Sequence, residues 1–566
     1  MIGKINNLAS SPARKRDGRS DLQTGDCFAP RTNPPQMLVP KASLCTKTLS
    51  LKLTQNIFDS MKMLIPLFSL LVACTSKEKT TTTNFNEETS ILYDATAKPF
   101  YHGVASGDPL QDRVILWARV TPEDSTLVVM VKWEISTSPD FAAIVKSDSL
   151  TTSVARDFTV KVDVAGLQPN THYFYHFTAL SKTSETGSTK TLPQNPDSIK
   201  LAVVSCANWE WGFFNPYQKI SQRADVDVVV HLGDFIYEYG TGKYGDTTIG
   251  RINIPKHELI SLRDYRLRYS QYRLDKGLHD VSAKLPMIAI WDDHEIANNS
   301  YVGGAQNHQQ EEGDYEKRKA AARQAYYEWI PIRESKNHYR SFSFGTLADL
   351  IMLDERLAGR QKQVDSIGDP TLQSEDRTML GQAQFNWLEA QLKNAKATWK
   401  IIGNQVIFSD VNIKAIFPQM PSNFDSWDGY PAEKGKLKNF IVKNKINDLV
   451  FITGDAHSSW AIEAATEIKK SYAPFATELV TTSVSSANAD EYHPIEEVKT
   501  AEVELMKANP HVKYFNNRDH GYLLLTLTQQ KAKAEWWFVK TLRVPETKEF
   551  LGKTVNVKKG KVNIEP

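Results

Sequence analysis

The chain has 566 residues, with 41% hydrophobic residues, 24% charged residues and a formal net charge of +2. These proportions are typical of a soluble globular protein, and the length allows two or three domains. The near-neutral charge gives no support to nucleic-acid binding, because proteins with that function usually concentrate basic residues on one face.

The first candidate element is a short export signal. Residues 64–73 are apolar, too few to span a bilayer as a helix but enough for the hydrophobic part of a signal peptide. Leu71-Val72-Ala73-Cys74 resembles a bacterial lipobox, and a polar spacer follows it. The alternative is a cysteine that merely follows a hydrophobic segment.

The lipobox interpretation divides the first hundred residues into three parts. Residues 1–60 are predicted to be absent from the mature protein, 61–74 to be a lipoprotein signal peptide, and 75–98 to be a linker. Lipid on Cys74 would anchor the protein in a bacterial membrane, facing the periplasm or the exterior. Cys206 would then be the only thiol of the mature chain, and no internal disulfide could form.

Residues 99–195 show an all-β pattern. Residues 113–120 and 128–136 are candidate strands, and 158–164 alternate apolar and polar residues. The run Leu167-Gln168-Pro169-Asn170-Thr171-His172-Tyr173 resembles the tyrosine corner of fibronectin-type sandwiches. We therefore predict a small N-terminal fibronectin-like β-sandwich over 99–195, which ends in a turn-rich connector at 181–195.

From residue 196 onwards, short apolar runs alternate with helical patterns. The runs cover 200–205, 226–232, 285–291, 349–353, 399–403 and 448–453, and helical patterns at 311–329 and 382–394 lie between them. Apolar runs separated by helices indicate α/β layers. Strand patterns at 479–483, 521–528 and 532–541 are expected to close a second sheet. We predict an α/β catalytic domain over 196–566, a four-layer α/β/β/α sandwich.

Residue types that bind metals follow most of these runs. They are Cys206, Asp234, Tyr237, Asp292, Asp293, His294, Asn298, Asn404, Gln405, Asp455 and His457. Ligands of open α/β sheets bind outside the carboxyl ends of the strands, so these side chains are expected to share one crevice. Taken singly, each motif has an ordinary explanation as a turn, a helix cap or a small buried hydrophobe. Their repetition after successive runs favours a metal site.

The residue types also indicate which metals would suit the site. Adjacent carboxylates repel one another unless a cation compensates them. A shared aspartate can bridge two metals, and metal-bound water ionises near neutral pH. Tyr237 and Cys206 favour trivalent iron, whereas carboxylate and amide oxygens suit a harder ion such as Ca²⁺.

At these residues the sequence resembles the PhoD-type alkaline phosphatases, relatives of purple acid phosphatases within the calcineurin-like metallophosphoesterases. The shared motifs are His102-Gly103-Val104-Ala105-Ser106-Gly107-Asp108-Pro109, Leu116-Trp117-Ala118-Arg119, Ser205-Cys206, His231-Leu232-Gly233-Asp234, Ile236-Tyr237-Glu238, Trp291-Asp292-Asp293-His294-Glu295, Gly454-Asp455, His457-Ser458 and Glu535-Trp536-Trp537. The resemblance covers about residues 100–545. It implies a site for Fe³⁺ and Ca²⁺, with another divalent pair such as Zn²⁺ or Mn²⁺ as the alternative.

The resemblance further implies roles for single residues. The expected iron ligands are Cys206, Tyr237 and His457, the bridging ligand is Asp234, and the calcium ligands are Asp293 and Asp455, with Asp292 and Asn298 in addition. His294 is expected to act with Asp234 in catalysis, by stabilising the phosphoryl group or protonating the leaving oxygen.

Four further residues are expected to contact substrate: Asn208, Arg356, Asn404 and Gln405. A structural ion pair is the alternative for Arg356, and direct metal ligation is the alternative for Asn404 and Gln405.

The predicted function is hydrolysis of phosphate monoesters, diesters or both by a metal-bound hydroxide at the cell envelope, for phosphate scavenging. Small-molecule phosphate esters, and a membrane held through Cys74, are the expected partners; the protein is expected to be a monomer that binds no nucleic acid. One alternative is a metal-dependent carboxylic ester or lactone hydrolase on the same scaffold. Another is a non-catalytic binding lipoprotein.

Overall fold

The computed structural model of the chain describes residues 88–566 except 415, 417, 419–421 and 469–470. The predicted signal peptide, its Cys74, residues 1–60 and most of the predicted linker therefore lie outside the described residues. Among the helices of the described part, none is both long and apolar enough to cross a membrane.

The described chain contains mixed α and β structure. The strands are β1 (Val104–Gly107), β2 (Arg113–Arg119), β3 (Val129–Ser136), β4 (Ile144–Thr152), β5 (Thr159–Ala165), β6 (His172–Ala179), β7 (Lys182–Thr183), β8 (Gly187–Lys190), β9 (Ser198–Val204), β10 (Val228–His231), β11 (Met287–Ala289), β12 (Arg340–Phe344), β13 (Ala348–Met352), β14 (Trp399–Asn404), β15 (Leu449–Thr453), β16 (Ser459–Ala465), β17 (Pro474–Val480), β18 (Val512–Asn516), β19 (Gly521–Thr528), β20 (Lys531–Val539), β21 (Glu549–Lys558) and β22 (Ile564–Glu565). The helices are α1 (Asn215–Ser221), α2 (Leu262–Arg273), α3 (Lys276–Lys284), α4 (Tyr315–Trp329), α5 (Gly381–Asn394), α6 (Pro431–Lys443) and α7 (Ile495–Ala508).

Two large sheets organise the chain. The ten-stranded sheet has the order β22-β21-β20-β19-β9-β10-β11-β1-β2-β5, and the seven-stranded sheet has the order β12-β13-β14-β15-β17-β16-β18. Strands β9, β10 and β11 are parallel to one another, as are β13, β14, β15 and β17. The carboxyl ends of the parallel strands within each sheet therefore meet at one edge of that sheet.

The two sheets pack face to face, with helices on the outside. Strand β9 shows why its run is apolar from Leu201 to Val204. Val203 packs in the core between the sheets, while Ala202 and Val204 pack in the core beneath the outer helices. Helices α1 to α4 cover the ten-stranded sheet, and α5 and α6 cover the seven-stranded sheet. The predicted four-layer α/β/β/α sandwich is confirmed.

The N-terminal part is a β-sandwich that shares a sheet with the catalytic part. Strands β3, β4, β6, β7 and β8 pack against β1, β2 and β5. The backbone N–H of Gln168 donates to the Tyr173 hydroxyl at 2.8 Å, which is the hydrogen bond of a tyrosine corner. Strand β1 also pairs with β11, where Gly107 lies opposite Met287. A Cβ at Gly107 would lie 2.2 Å from the Pro331 carbonyl oxygen, so this junction requires glycine.

Two details of the predicted chain path are wrong. Strands β19 and β20 do not close the second sheet with β17; they extend the ten-stranded sheet, where β19 pairs with β9. An apolar pattern identifies a strand but does not specify which neighbour it pairs with. The predicted connector at 181–195 contains the short strands β7 and β8.

Candidate metal centre

The candidate ligands lie in the turns that follow the parallel strands. Cys206, Asp234, Asp455 and His457 follow β9, β10 and β15, and their φ angles are 60°, 56°, 58° and 54°. Residues with a Cβ rarely adopt this left-handed conformation, and such strain is concentrated at functional sites. The turn after β10 also requires glycine at Gly233, because a Cβ there would lie 2.4 Å from the Cβ of Asp292.

One end of the crevice, which we call the Cys206 end, contains Cys206, Tyr237 and His457. Ligand atoms of Cys206, Asp234 and His457 lie within 4.8 Å of one another. The Tyr237 hydroxyl donates to Asp234 Oδ2 at 2.9 Å and lies 3.1 Å from His457 Nε2. His457 Nδ1 lies 2.9 Å from the carbonyl oxygen of Ala487. A carbonyl only accepts hydrogen bonds, so Nδ1 carries the proton and Nε2 is the nitrogen suited to a metal.

The other end, which we call the carboxylate end, contains Asp292, Asp293 and Asp455. Ligand atoms of these three residues also lie within 4.8 Å of one another, and a third such group joins Asp234, Asp293 and His294. Asp234 and Asp293 each belong to two groups. The predicted metal-binding and catalytic residues, Asn298 excepted, therefore form one continuous cluster, to which Tyr237 is joined by its hydrogen bond to Asp234.

Several buried polar atoms of this cluster, and one of Asn298, have no hydrogen-bond partner among the described residues. They are Asp292 Oδ2, Asp293 Oδ1, His294 Nε2 and Asn298 Oδ1. Leaving a buried polar group unsatisfied costs about 1–3 kcal/mol. Cations would satisfy the carboxylate and amide oxygens, so the residues present fit a metal centre.

The electrostatics of the cluster point the same way. Burial, with the neighbouring carboxylates of Asp292 and Asp293, raises the pKa of Asp234 well above its usual value. Burial raises the pKa of Asp292 to about 6 even though Arg356 opposes the shift. Burial also raises the pKa of the Cys206 thiol. These groups ionise readily only if positive charge is brought beside them, and a bound cation supplies that charge.

Arg356 is the internal cation of the carboxylate end. Its fully buried guanidinium forms a close ion pair with Asp292, and it lies 2.8 Å from Asp425 and 3.1 Å from Asp455. The structure thus places Arg356 in the ion-pair role that the sequence left as the alternative to substrate binding.

The other three residues predicted to contact substrate are hydrogen-bonded to protein groups. Asn208 caps the short 3-10 helix Trp209–Trp211: its Oδ1 accepts from the backbone N–H of Glu210 at 3.0 Å, and its Nδ2 donates to the carbonyl of Tyr244 at 3.1 Å. Asn404 and Gln405 are fully buried, and both ends of each amide are hydrogen-bonded to protein groups. A polar residue after a strand can face the crevice or tie down a neighbouring loop, and its position in the sequence does not distinguish the two.

Two buried glutamates support the cluster and received no role from the sequence. Glu238 Oε2 lies 2.7 Å from His294 Nδ1. Glu295 accepts the backbone N–H groups of Asp234 at 3.0 Å and Asp292 at 2.8 Å. Each glutamate is the last residue of a motif shared with the PhoD-type phosphatases, and that position was the sequence signal that could have identified it. Asp425 gave no such signal, because it lies in a loop 69 residues beyond Arg356.

Comparison with known proteins adds independent findings. A family model described as PhoD-like phosphatase matches residues 201–536, and the model of the N-terminal domain of that family matches residues 87–193. The chain is 35% identical over 461 residues to alkaline phosphatase D of Bacillus subtilis (strain 168), which covers 77% of each protein. It matches the solved structure of PhoD with a TM-score of 0.76 and 32% identity, over 83% of this chain and 92% of that one.

Proposed function

The chain belongs to the PhoD-like phosphatase family and is a phosphoric ester hydrolase. On that premise we propose that it hydrolyses phosphate monoesters, diesters or both, and that the reaction depends on metals held in the crevice. The observation that carries the proposal is the sharing of Asp234 and Asp293 between three ligand groups. Such sharing allows adjacent cations to act on one substrate.

The donor atoms support a different metal at each end. Cys206, Tyr237 and His457 would hold Fe³⁺, and Asp292, Asp293, Asp455 and Asn298 would hold Ca²⁺, with Asp234 between them. Thiolate and imidazole donors suit transition metals, while carboxylate and amide oxygens suit calcium. When bound, such ions supply Lewis-acid charge that promotes the ionisation of water and stabilises the phosphoryl oxygens.

His294 is the residue best placed to act on the substrate itself. Glu238 engages Nδ1 at 2.7 Å, which fixes the ring and leaves Nε2 for a ligand. In the metal-free protein, burial disfavours the charge of the imidazolium, but the surrounding Asp293, Glu238 and Asp234 outweigh it and raise the pKa of His294 well above its usual value. A protonated Nε2 would either donate a hydrogen bond to a phosphate oxygen or transfer its proton to the departing alkoxide.

The cellular setting is part of the same proposal. Lipid on Cys74 would hold the enzyme at the cell envelope, where it would release phosphate from external esters. The lipobox-like run and the polar spacer support this. The spacer leads to Thr89, whose hydroxyl lies 3.0 Å from that of Ser270 in helix α2. Replacing Cys74 with Ser should move the protein from the detergent phase to the aqueous phase in detergent partitioning; unchanged partitioning would refute the anchor.

The metal-dependent activity is tested on natively exported protein. Hydrolysis of an aryl phosphate, a bis-aryl phosphate diester and an aryl acetate is measured before and after chelation and after metal is restored. We expect phosphate ester hydrolysis that chelation removes and metal restores. Hydrolysis of the acetate alone, or phosphatase activity that resists complete metal removal, would contradict the proposal.

A further inference from the structure

One buried segment touches the whole Cys206 end of the crevice. This segment, which we call the serine loop, is Thr482-Ser483-Val484-Ser485-Ser486-Ala487 and follows strand β17. Its first five residues are completely buried. Six buried residues with three serines and a threonine need hydrogen-bond partners, and many of those partners are in the candidate ligands.

The serine loop fixes the turn that carries Cys206. The backbone N–H groups of Ser485 and Ser486 donate to the Cys206 carbonyl at 3.2 and 3.1 Å. The Ser486 hydroxyl lies 3.0 Å from the same carbonyl oxygen. These contacts hold a residue whose left-handed backbone conformation is otherwise disfavoured.

The serine loop also fixes His457 at both its backbone and its ring. The Thr482 hydroxyl donates to the His457 carbonyl at 2.8 Å, and the backbone N–H of Ser483 donates to it at 3.2 Å. At the other end of the loop, the Ala487 carbonyl accepts from the imidazole Nδ1. The loop is held in turn by His520, whose Nδ1 lies 2.9 Å from the Ser483 hydroxyl.

The contact with Tyr237 depends on one side chain. The Ser486 hydroxyl lies 2.7 Å from the phenolic oxygen of Tyr237. A phenolic oxygen that binds a metal has lost its proton and accepts hydrogen bonds, and hydrogen bonds to a charged acceptor are stronger than neutral ones. The Ser486 hydroxyl thus lies within hydrogen-bond distance of both Tyr237 and the Cys206 carbonyl, and its single proton is best donated to the Tyr237 oxygen, the nearer acceptor.

We propose that Ser486 is a positioning residue for the metal at the Cys206 end. Its hydroxyl sets the Tyr237 oxygen against Cys206 and His457, and thereby strengthens metal binding without touching substrate. The inference rests on the proposed metal function and identifies a residue outside the ligand set that supports it. Partners that orient metal ligands typically contribute 10–100-fold to metal affinity or activity.

The test compares Ser486→Ala with Ser485→Ala. Ser485 is the neighbouring buried serine, but its hydroxyl donates to the Asn208 carbonyl at 2.8 Å and not to a candidate ligand. The measurement is the chelator concentration at which the purified enzyme loses half of its bound metal. Ser486→Ala should lose half of its metal at a chelator concentration at least about 10-fold lower than the wild type does. Ser485→Ala should behave like the wild type.

A pair of isosteric variants keeps the test valid if Ser486→Ala does not fold. Ser486→Thr keeps the hydroxyl and Ser486→Val removes it, so only the valine variant should release metal early. Equal metal retention in the variants with and without the hydroxyl would overturn the inference and leave the proposed function intact. A wild type that retains metal but hydrolyses no phosphate ester would refute the proposed function instead. A wild type that binds no metal at this end would overturn both.

Discussion

The two ends of the crevice hold their buried ligand residues in different ways. At the Cys206 end, Tyr237 and His457 are held by hydrogen bonds to each other and to the serine loop. At the carboxylate end, Asp292 and Asp455 are held by the charge of Arg356. One end is therefore arranged by hydrogen bonds and the other by a buried positive charge.

The bridging position is where a single change should have the largest effect. Asp234→Ala removes the carboxylate that belongs to the ligand group of the Cys206 end and to the group of Asp293 and His294, which connects that end to the carboxylate end. We expect the kcat/KM for an aryl phosphate to fall by more than about 10³-fold, beyond the loss caused by removing one stabilising donor from an active site. Circular dichroism should show a folded protein. Substantial residual activity in a metal-replete variant would contradict this expectation, because it would show that the two ends do not act together.

The dependence of the carboxylate end on charge predicts a large loss of stability. Arg356→Met leaves Asp292 and Asp455 without their buried guanidinium and leaves Asp425 with Arg360 alone, and breaking a buried ion pair costs about 3–5 kcal/mol. Urea unfolding of the metal-free protein measures this.

Arg360→Met is the matched control for that experiment. Arg360 also pairs with Asp425, at 2.5 Å, and it is fully buried. We expect a smaller loss for Arg360→Met than for Arg356→Met, because Asp292 and Asp455 keep their partner. Equal losses of stability would show that the pairs of Arg356 with Asp292 and Asp455 add nothing beyond its pair with Asp425.

Much of this arrangement could be predicted from the sequence, because strand ends and their polar neighbours are adjacent in the chain. Cys206 follows β9 by two residues and Asp455 follows β15 by two residues, so finding the strands locates the ligands. The fold layers could be predicted for the same reason.

Contacts between distant segments could not be predicted in this way. Ser486 lies 249 residues from Tyr237, and Asp425 lies 69 residues from Arg356. Hydrogen bonds over such separations depend on how the two sheets stack, and no local pattern records that. The pairing of β19 with β9 was missed for the same reason.

The positioning of His294 predicts an intermediate effect. Glu238→Gln weakens the contact that fixes His294 Nδ1. We expect kcat to fall about 10–100-fold with metal content unchanged, because Glu238 orients the histidine and is not a metal ligand. Glu258→Gln, which removes a partner of Arg318, is the control and should have little effect on kcat. Metal loss in Glu238→Gln would instead indicate that Glu238 is a metal ligand.

The smallest effect on the free energy of unfolding is expected for a partly exposed ion pair, that of His279 with Glu185. Burial opposes the charge of His279, but Asp280 and Glu185 raise its pKa to about 9. A group whose pKa is raised on folding stabilises the fold fully below its unfolded pKa of about 6.5, and that stability is lost as pH rises through 9. His279 is 26% exposed and Glu185 39%, so the contribution is about 1 kcal/mol.

The pH dependence of the unfolding free energy tests this pair. Between pH 6.5 and 9 the wild type should lose about 1 kcal/mol more stability than His279→Gln. Parallel curves for the two proteins would show that this pair adds nothing to the free energy of unfolding.

The most direct test of the two-ended centre is elemental analysis of three proteins: the wild type, Cys206→Ser and Asp293→Asn. We expect iron and calcium in the wild type, selective loss of iron in Cys206→Ser, and selective loss of calcium in Asp293→Asn. A wild type with a single kind of metal, or two variants that lose the same metal, would contradict this expectation.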